Sequence, residues 1–545
     1  MSLPSPKVPA LYALALTVVC FAAITPFFWR GNPSGHDFEF HMFSWMEVLG
    51  QWKLGIVYPR WAALAHWGYG EARFLFYPPA SWALGAALGR FLPWKMVPGA
   101  YCWLALMSAG VSMYRLAREW LPGPDALFAA ALYAVNPYHL LIVYWRSAFA
   151  ELLAASLLPF LLLRILRLSE PGIRPALYLG TTLAASWLTN APAAVMIHYS
   201  AAGLALAVAL LEGSWRPVRQ TALAVVLGAG LASFYLVPTV YETRWVNIDQ
   251  VLAPGLRPQD NFLFTTIPDP EHNQFNLLVS TVAAAEIGIL LFAIWLSRDA
   301  RMERRNLWRL VTGWGGAAAL VMISVTNLLW QHLPKLRFVQ LPWRWLLCLN
   351  AVLALLLTMS TRRWSLRFLA AGVLLGAVVL AGYRIQPPWW DMAADITEMS
   401  DAMADGTGYE GSDEYVPAGA DAYELNKDQP PVVDSSGHAV RTEGLVWKAA
   451  DKSLVVHAYS SEFVTLRLLN YPAWEVTVNG RPVATRTTDV TGLMMIPVEI
   501  GRNDIHVHFG RTRDRIVGSM VSLLSLGILA GAWTMSKPSH LRGPL

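Results

Sequence analysis

The chain has 545 residues, of which 55% are apolar or aromatic and only 14% are charged, with a mean hydropathy of +0.39. A soluble fold of that length cannot hide so much apolar surface, so the composition excludes one and points to a polytopic membrane protein. The net charge of +5 does not signal nucleic-acid binding, because the basic residues lie in short loops between apolar runs, where membrane topology explains them.

In chain order, Lys7 precedes an apolar run to Trp29 that is long enough to span and has no small-x-small cleavage site after it, so an uncleaved anchor is expected. Runs at 8–29, 97–114, 124–145, 148–168, 174–190, 192–211, 219–238, 276–296, 308–330, 342–360, 366–384 and 516–535 predict about twelve transmembrane helices. The three cysteines, Cys20, Cys102 and Cys348, fall inside these runs, which suggests neither a disulfide framework nor a zinc site. Arginine-rich loops around Arg115, Arg164, Arg216, Arg304 and Arg362 all fall on one side, which the positive-inside rule makes cytoplasmic together with both termini.

The apolar stretch from Tyr77 to Trp94 breaks this count, because reading it as a span would invert every later loop. It is therefore expected to lie on the outer interface or to re-enter, within a first outer loop, residues 30–96, that carries two interfacial helices. The membrane domain so read covers residues 1–384, and 516–545 adds a final helix and tail. Between them, 385–515 is an extracytoplasmic region with an acidic first part and a second part of alternating strands such as "LVVHAYSS", "FVTLRLLNY" and "AWEVTVNG". Asn479-Gly480 predicts a hairpin turn, and a small C-terminal β-sandwich is the expected fold.

The first outer loop opens with "PSGHDFEFHMFSW". A helix capped at Ser34 would place Phe38, Met42, Trp45, Leu49 and Trp52 in one apolar stripe on the outer leaflet, with Asp37 and His41 four apart on a neighbouring face. The bland alternative is that these polar groups face water and Asp37 favours the helix N-terminus. Arg146 and Glu151, in "YWRSAFAELLA", lie at the junction of two spans, where ionisable residues are costly and often functional. Lys335, Arg337 and Arg344 crowd another outer loop and suit a lipid-linked phosphate, the alternative being snorkelling to headgroups or surface pairing. His198 and Asn190 are polar groups within apolar runs, read as hydrogen-bonded core residues rather than as a relay.

"GHDFEFH", "GIVYPRW", "FYPP", "RSAFAE", "FVQLPWR" and "YPAWEVTVNG" together resemble the GT-C superfamily of integral-membrane glycosyltransferases, and more closely the bacterial YfhO-like and pyruvoyl-tetrahydropterin synthase-related membrane proteins. No histidine set that would support pterin chemistry is present. The resemblance implies sugar transfer from a polyprenyl-phosphate donor to a glycan, lipid or protein acceptor at the outer face of a bacterial inner membrane. It places Asp37 as catalytic base or acceptor-orienting group, Glu151 as the second acidic residue and His41 as support for Asp37. Arg146, Lys335, Arg337 and Arg344, with Arg60 and Tyr77 of the matching motifs, are then the substrate and lipid-phosphate set. Asp37, Glu39 and Glu151 are a candidate set for a divalent cation such as Mg or Mn. A non-catalytic lipid or glycan carrier, or an envelope assembly factor, is the competing function on the same scaffold. Neither a G-x-S-x-G elbow, nor H-E-x-x-H, nor a phosphate-binding P-loop occurs.

Overall fold

The computed structural model describes residues 7–297, 302, 304–360, 363–370, 372, 373, 376 and 387–535. Among them, seven helices are long and apolar enough to cross a bilayer, or up to nine if each of two bent pairs counts as one span. The pairs are Arg216–Leu231 with Ser233–Trp245, bent by 77°, and Arg305–Val321 with Ser324–His332, bent by 88°. Two of the twelve expected spans do not reach that length: 148–168 divides into Phe149–Ala155 and Leu157–Ile165, and 174–190 forms a helix of 16 residues, Arg174–Thr189. The span expected at 366–384 lies largely outside the described residues.

Local chemistry sets several helix starts. Proline occupies the first turn of Val97–Ala117, Arg174–Thr189 and Ala191–Glu212, where its missing N–H costs nothing. The Asn190 side chain caps the last of these by accepting the Ala193 N–H at 2.9 Å, and His198 Nδ1 lies 2.8 Å from the Ala194 carbonyl. Both polar residues are thus satisfied within their own helix. The sequence reading did not mark Glu286, a buried carboxylate in Pro270–Leu296 that accepts a hydrogen bond from Asn350 at 2.7 Å.

The stretch after Tyr77 forms an 11-residue helix, Pro79–Gly89. At 1.5 Å per residue it is roughly 16 Å long, about half the hydrocarbon thickness. The helix expected to begin at Ser34 starts instead at Phe38 and runs to Lys53. Ser34 is drawn away because its hydroxyl donates to Asp391 at 2.9 Å, leaving Asp37 at the N-cap. The expected stripe on the outer leaflet is also corrected: Phe38, Met42, Trp45 and Leu49 are buried in the protein core. Trp45 stacks on Tyr101 with ring centroids 5.0 Å apart and also packs on Phe149 at 5.1 Å.

Strands β1 (Asn32–Pro33) and β2 (Trp390–Asp391) pair antiparallel and tie the segment that precedes Phe38 to the one that follows residue 387. The C-terminal strands are β3 (Val432–Val433), β4 (Thr442–Trp447), β5 (Asp451–Ala458), β6 (Glu462–Leu469), β7 (Trp474–Val478), β8 (Arg481–Pro482), β9 (Arg486–Thr487), β10 (Leu493–Val498) and β11 (Gly501–Phe509). They form two antiparallel sheets, ordered β3-β6-β10-β9 and β4-β5-β11-β7-β8. Asn479 and Gly480, both at positive φ, make the turn between β7 and β8 as expected. Alternate residues of both sheets, among them Leu454, Val456, Leu466, Met494 and Ile505, share one apolar cluster with Trp61, Tyr69 and Leu75. The strand region therefore completes its core with side chains from the membrane part.

Candidate active site

The backbone around Arg146 is irregular. The helix ending at Leu141 widens into a π-helical turn, Ile142–Arg146, and Ser147 then takes a left-handed conformation at φ 50° before Phe149–Ala155 begins. Such π turns and non-glycine left-handed residues are uncommon and gather at functional sites. The turn swings Arg146 back toward Glu151, five residues on. Gly35 is pressed against this turn so closely that a Cβ would collide with the Trp145 carbonyl, and its N–H donates to Ser147 Oγ at 3.0 Å. The Asp37 N–H donates to the Arg146 carbonyl at 2.9 Å. Two segments more than a hundred residues apart are thereby locked together.

Glu151 is 1% exposed and saturated with donors. Its Oε2 accepts from Arg146 at 2.6 Å and from Arg344 Nε at 3.1 Å, and its Oε1 accepts from the Tyr138 hydroxyl at 2.6 Å. Arg344 also donates to the Val339 carbonyl at 2.7 Å and to Gln340 Oε1 at 3.1 Å. Gln340, at φ 65° and ψ −57°, anchors through its amide to the Val251 carbonyl at 2.6 Å. The Arg146 guanidinium lies 4.8 Å from the centre of the Trp343 ring, and its outer nitrogen is 4.0 Å from Asp37 Oδ2. The Asp37 side chain is 43% exposed. Two guanidinium ions therefore face one buried carboxylate, and among the described residues the one other carboxylate offsetting the surplus is half open to solvent and beyond hydrogen-bond length.

Of the predicted residues, Asp37, Arg146, Glu151 and Arg344 come together. Among the described residues, no side-chain hydrogen bond or ion pair joins the others to these four. His41 is buried among Tyr77, Phe149 and Trp45, and burial pushes its imidazole down to about 4, so it is neutral near pH 7. Its N–H bonds the Asp37 carbonyl, but no hydrogen bond links the two side chains, so the expected support of the carboxylate by this imidazole is not formed. Tyr77 belongs to that aromatic cage, its ring 4.8 Å from Phe40, and its buried hydroxyl lies within electrostatic reach of Asp37 and Arg344 without a hydrogen bond to either. Arg60 stacks on Tyr58 and donates to the Phe234 carbonyl at 3.4 Å, away from the network. Lys335 and Arg337 are exposed and rest on the Phe338 ring, each 5.1 Å from its centre.

The residues do not fit a divalent cation. Glu39 is exposed, both oxygens of Glu151 are taken by cations and a phenol, and no group of three or more His, Cys, Asp or Glu residues among those described could hold a metal. Sequence reasoning missed Tyr138 and Gln340, whose roles arise only from chain reversals; Gln340 sits in the quoted "FVQLPWR", beside the arginine it holds.

A second buried network is centred on Glu47 and Glu71. Glu71 pairs with Arg73, accepts the Ser412 N–H at 2.7 Å and lies 3.0 Å from His66 Nε2. Glu47 accepts from the Ala63 N–H, from Leu64 at 3.2 Å, from Gln51 at 3.1 Å and from the Tyr409 hydroxyl at 2.7 Å. Burial raises the Glu47 carboxyl to about 7.

The sequence pattern of the 6-pyruvoyl-tetrahydropterin synthase-related domain of membrane proteins matches residues 74–386, more than half of the chain. The chain belongs to that family. In this synthase-related membrane protein the matched region holds Arg146, Glu151 and Arg344, whereas Asp37 and the C-terminal sheets lie outside it. No curated protein matches the sequence. Among solved structures, similarity is found to ArnT from Cupriavidus metallidurans bound to undecaprenyl phosphate, at 14% identity and TM-score 0.45, covering 73% of this chain and 76% of that one. It is also found to the arabinofuranosyltransferase AftD from Mycobacteria, at 15% identity and TM-score 0.40, covering 74% of this chain and 27% of that one. The archaeal oligosaccharyltransferase AglB from Archaeoglobus fulgidus, in complex with an inhibitory peptide and a dolichol-phosphate, is similar at 12% identity and TM-score 0.40, covering 74% and 56%. The chain thus spans about a quarter of AftD and just over half of AglB.

Proposed function

We propose that this synthase-related membrane protein is a GT-C-type glycosyltransferase that moves a sugar from a polyprenyl-phosphate donor to an acceptor at the extracytoplasmic face of a bacterial inner membrane. In this reading both termini are cytoplasmic, the membrane part has about twelve helices, and residues 385–515 form an extracytoplasmic β-sandwich beside the site. The observation that carries it is the half-exposed Asp37 carboxylate facing a buried cluster with surplus positive charge. The donor class follows the resemblance of the sequence motifs.

The chemistry needs little else. The Asp37 carboxylate orients the acceptor hydroxyl and takes its proton as that oxygen attacks the anomeric carbon. The bond from that carbon to the phosphate oxygen breaks, and the electron pair leaves with the lipid phosphate. Arg146, its surplus charge only partly met by Asp37, stabilises the departing anion, and Arg344 with Glu151 fixes its position. Incubating the purified protein in lipid with a panel of polyprenyl-phosphate sugars and acceptors tests this. Donor consumption that disappears in Asp37→Asn is expected; equal consumption by both forms overturns the assignment. Lipid-phosphate binding without turnover in either form favours the carrier reading.

A further inference from the structure

Past the 88° bend after Val321, the short helix Asn327–His332 and its flanks leave Val325, Leu328, Leu329 and Leu333 exposed. In a membrane protein such a face meets lipid. Directly beside it lies a cleft of about 290 Å³ whose polar lining includes Arg257, Gln259, Asn327, Gln331 and Arg337 against the buried Trp330. Trp330 is a fixed wall, its indole N–H donating to the Val321 carbonyl at 3.0 Å. Arg257 is engaged by Asp260 at 2.9 Å. Arg337 is exposed and forms no ion pair among the described residues, and Asn327 Oδ1 is buried without a donor. The cleft thus offers a guanidinium fork and an unused acceptor at the edge of an apolar face.

We propose that this cleft holds the headgroup of an anionic phospholipid from the surrounding bilayer, with its phosphate on Arg337, a headgroup hydroxyl donating to Asn327 and its acyl chains along Leu328 and Leu329. A guanidinium binds phosphate oxygens in a bidentate fork, and an anionic lipid supplies both this group and the apolar chains that match the neighbouring helix. The site is separate from the Glu151 cluster but joined to it. Leu252 lines the cleft, and the adjoining Val251 carbonyl holds the Gln340 amide whose oxygen receives Arg344. A bound headgroup braces the loop that positions Arg344. The proposal stands whether or not the protein transfers sugar.

The full chain, reconstituted in nanodiscs of phosphatidylcholine with and without phosphatidylglycerol, is delipidated and the retained lipid measured by native mass spectrometry. Selective retention of phosphatidylglycerol is expected, falling at least ten-fold in Arg337→Gln and several-fold in Asn327→Leu, with unchanged melting temperatures. Equal retention of the two lipids, or wild-type retention by Arg337→Gln, overturns the proposal. Added undecaprenyl phosphate at equal mole fraction is expected to leave phosphatidylglycerol in place; its replacement by the polyprenyl lipid assigns the cleft to that lipid and overturns the phospholipid assignment.

Discussion

Glu71 and Glu151 are both fully buried carboxylates held by guanidinium groups, yet their surroundings differ. Around Glu71 every charge is met at close range: Arg73 also reaches Ser44 at 3.1 Å and Ser412 at 3.4 Å, its guanidinium packs on Phe40 and Tyr409, and the nearby Glu47 is enclosed by four donors. Around Glu151 two arginines share one carboxylate, and the balance falls to Asp37, half exposed and 4.0 Å away. Burying charge is tolerated only when it is paired and hydrogen-bonded. The first network meets that condition and fastens the strap around Tyr409 and Ser412 to residues 47–73. The second meets it incompletely on its solvent side, the side to which the proposed function assigns the lipid phosphate.

Asp37→Asn and Glu71→Gln separate the two networks most directly. Asp37→Asn should reduce transfer by about 10²–10⁴-fold, the usual worth of general-base catalysis, with the melting temperature unchanged. Glu71→Gln should instead destabilise by about 3–5 kcal/mol, because Arg73 is left buried without its counter-charge. Thermal unfolding and donor-consumption assays on both variants check this; a shared loss of stability removes the distinction between the networks.

Glu151→Gln should show both effects, since two guanidinium ions lose their common partner, at a cost of about 3–5 kcal/mol. Tyr409→Phe leaves Glu47 short of one donor in the interior and should cost about 1–3 kcal/mol, read from the denaturation midpoint, with kcat unchanged. Gln340→Ala should lower kcat several-fold while shifting stability by about 1 kcal/mol, and Gln340→Glu, which keeps an acceptor for Arg344, should recover part of the rate.

A pH dependence offers a separate readout of the Glu47 network. With Glu47 raised to about 7, the folded chain keeps a proton that the unfolded chain releases between the ordinary carboxylate range and pH 7. Its contribution to stability is therefore present at low pH and lost as pH rises through that window. His41, lowered to about 4, tilts the profile the other way, so the difference between wild type and Glu47→Gln isolates the effect. That difference in melting temperature should shift against the wild type between about pH 4.5 and 7; a flat difference counts against a raised carboxyl.

Much of the architecture was legible because it rests on local rules. The positions of the apolar runs, the exclusion of 77–94 from the spans and the Asn479-Gly480 turn follow from hydropathy, helix length and turn stereochemistry. Asp37 and Glu151 stood out because carboxylates at the ends of apolar runs are costly. The stripe from Phe38 to Leu49 was read with the right period and the wrong partner, since periodicity reports an apolar face without saying whether lipid or protein covers it.

By itself, the sequence determined a polytopic membrane chain, a strand-rich C-terminal region and the residue types available for chemistry. Only the tertiary structure decided that Arg146 and Arg344 share Glu151, that His41 forms no side-chain hydrogen bond to Asp37, and that Glu47 and Glu71 join residues 47–73 to the strap around Tyr409 and Ser412. The physical reason is that hydropathy and turn propensity act over neighbouring residues, whereas the balance of a buried charge depends on groups brought within a few ångströms from segments up to 362 residues apart.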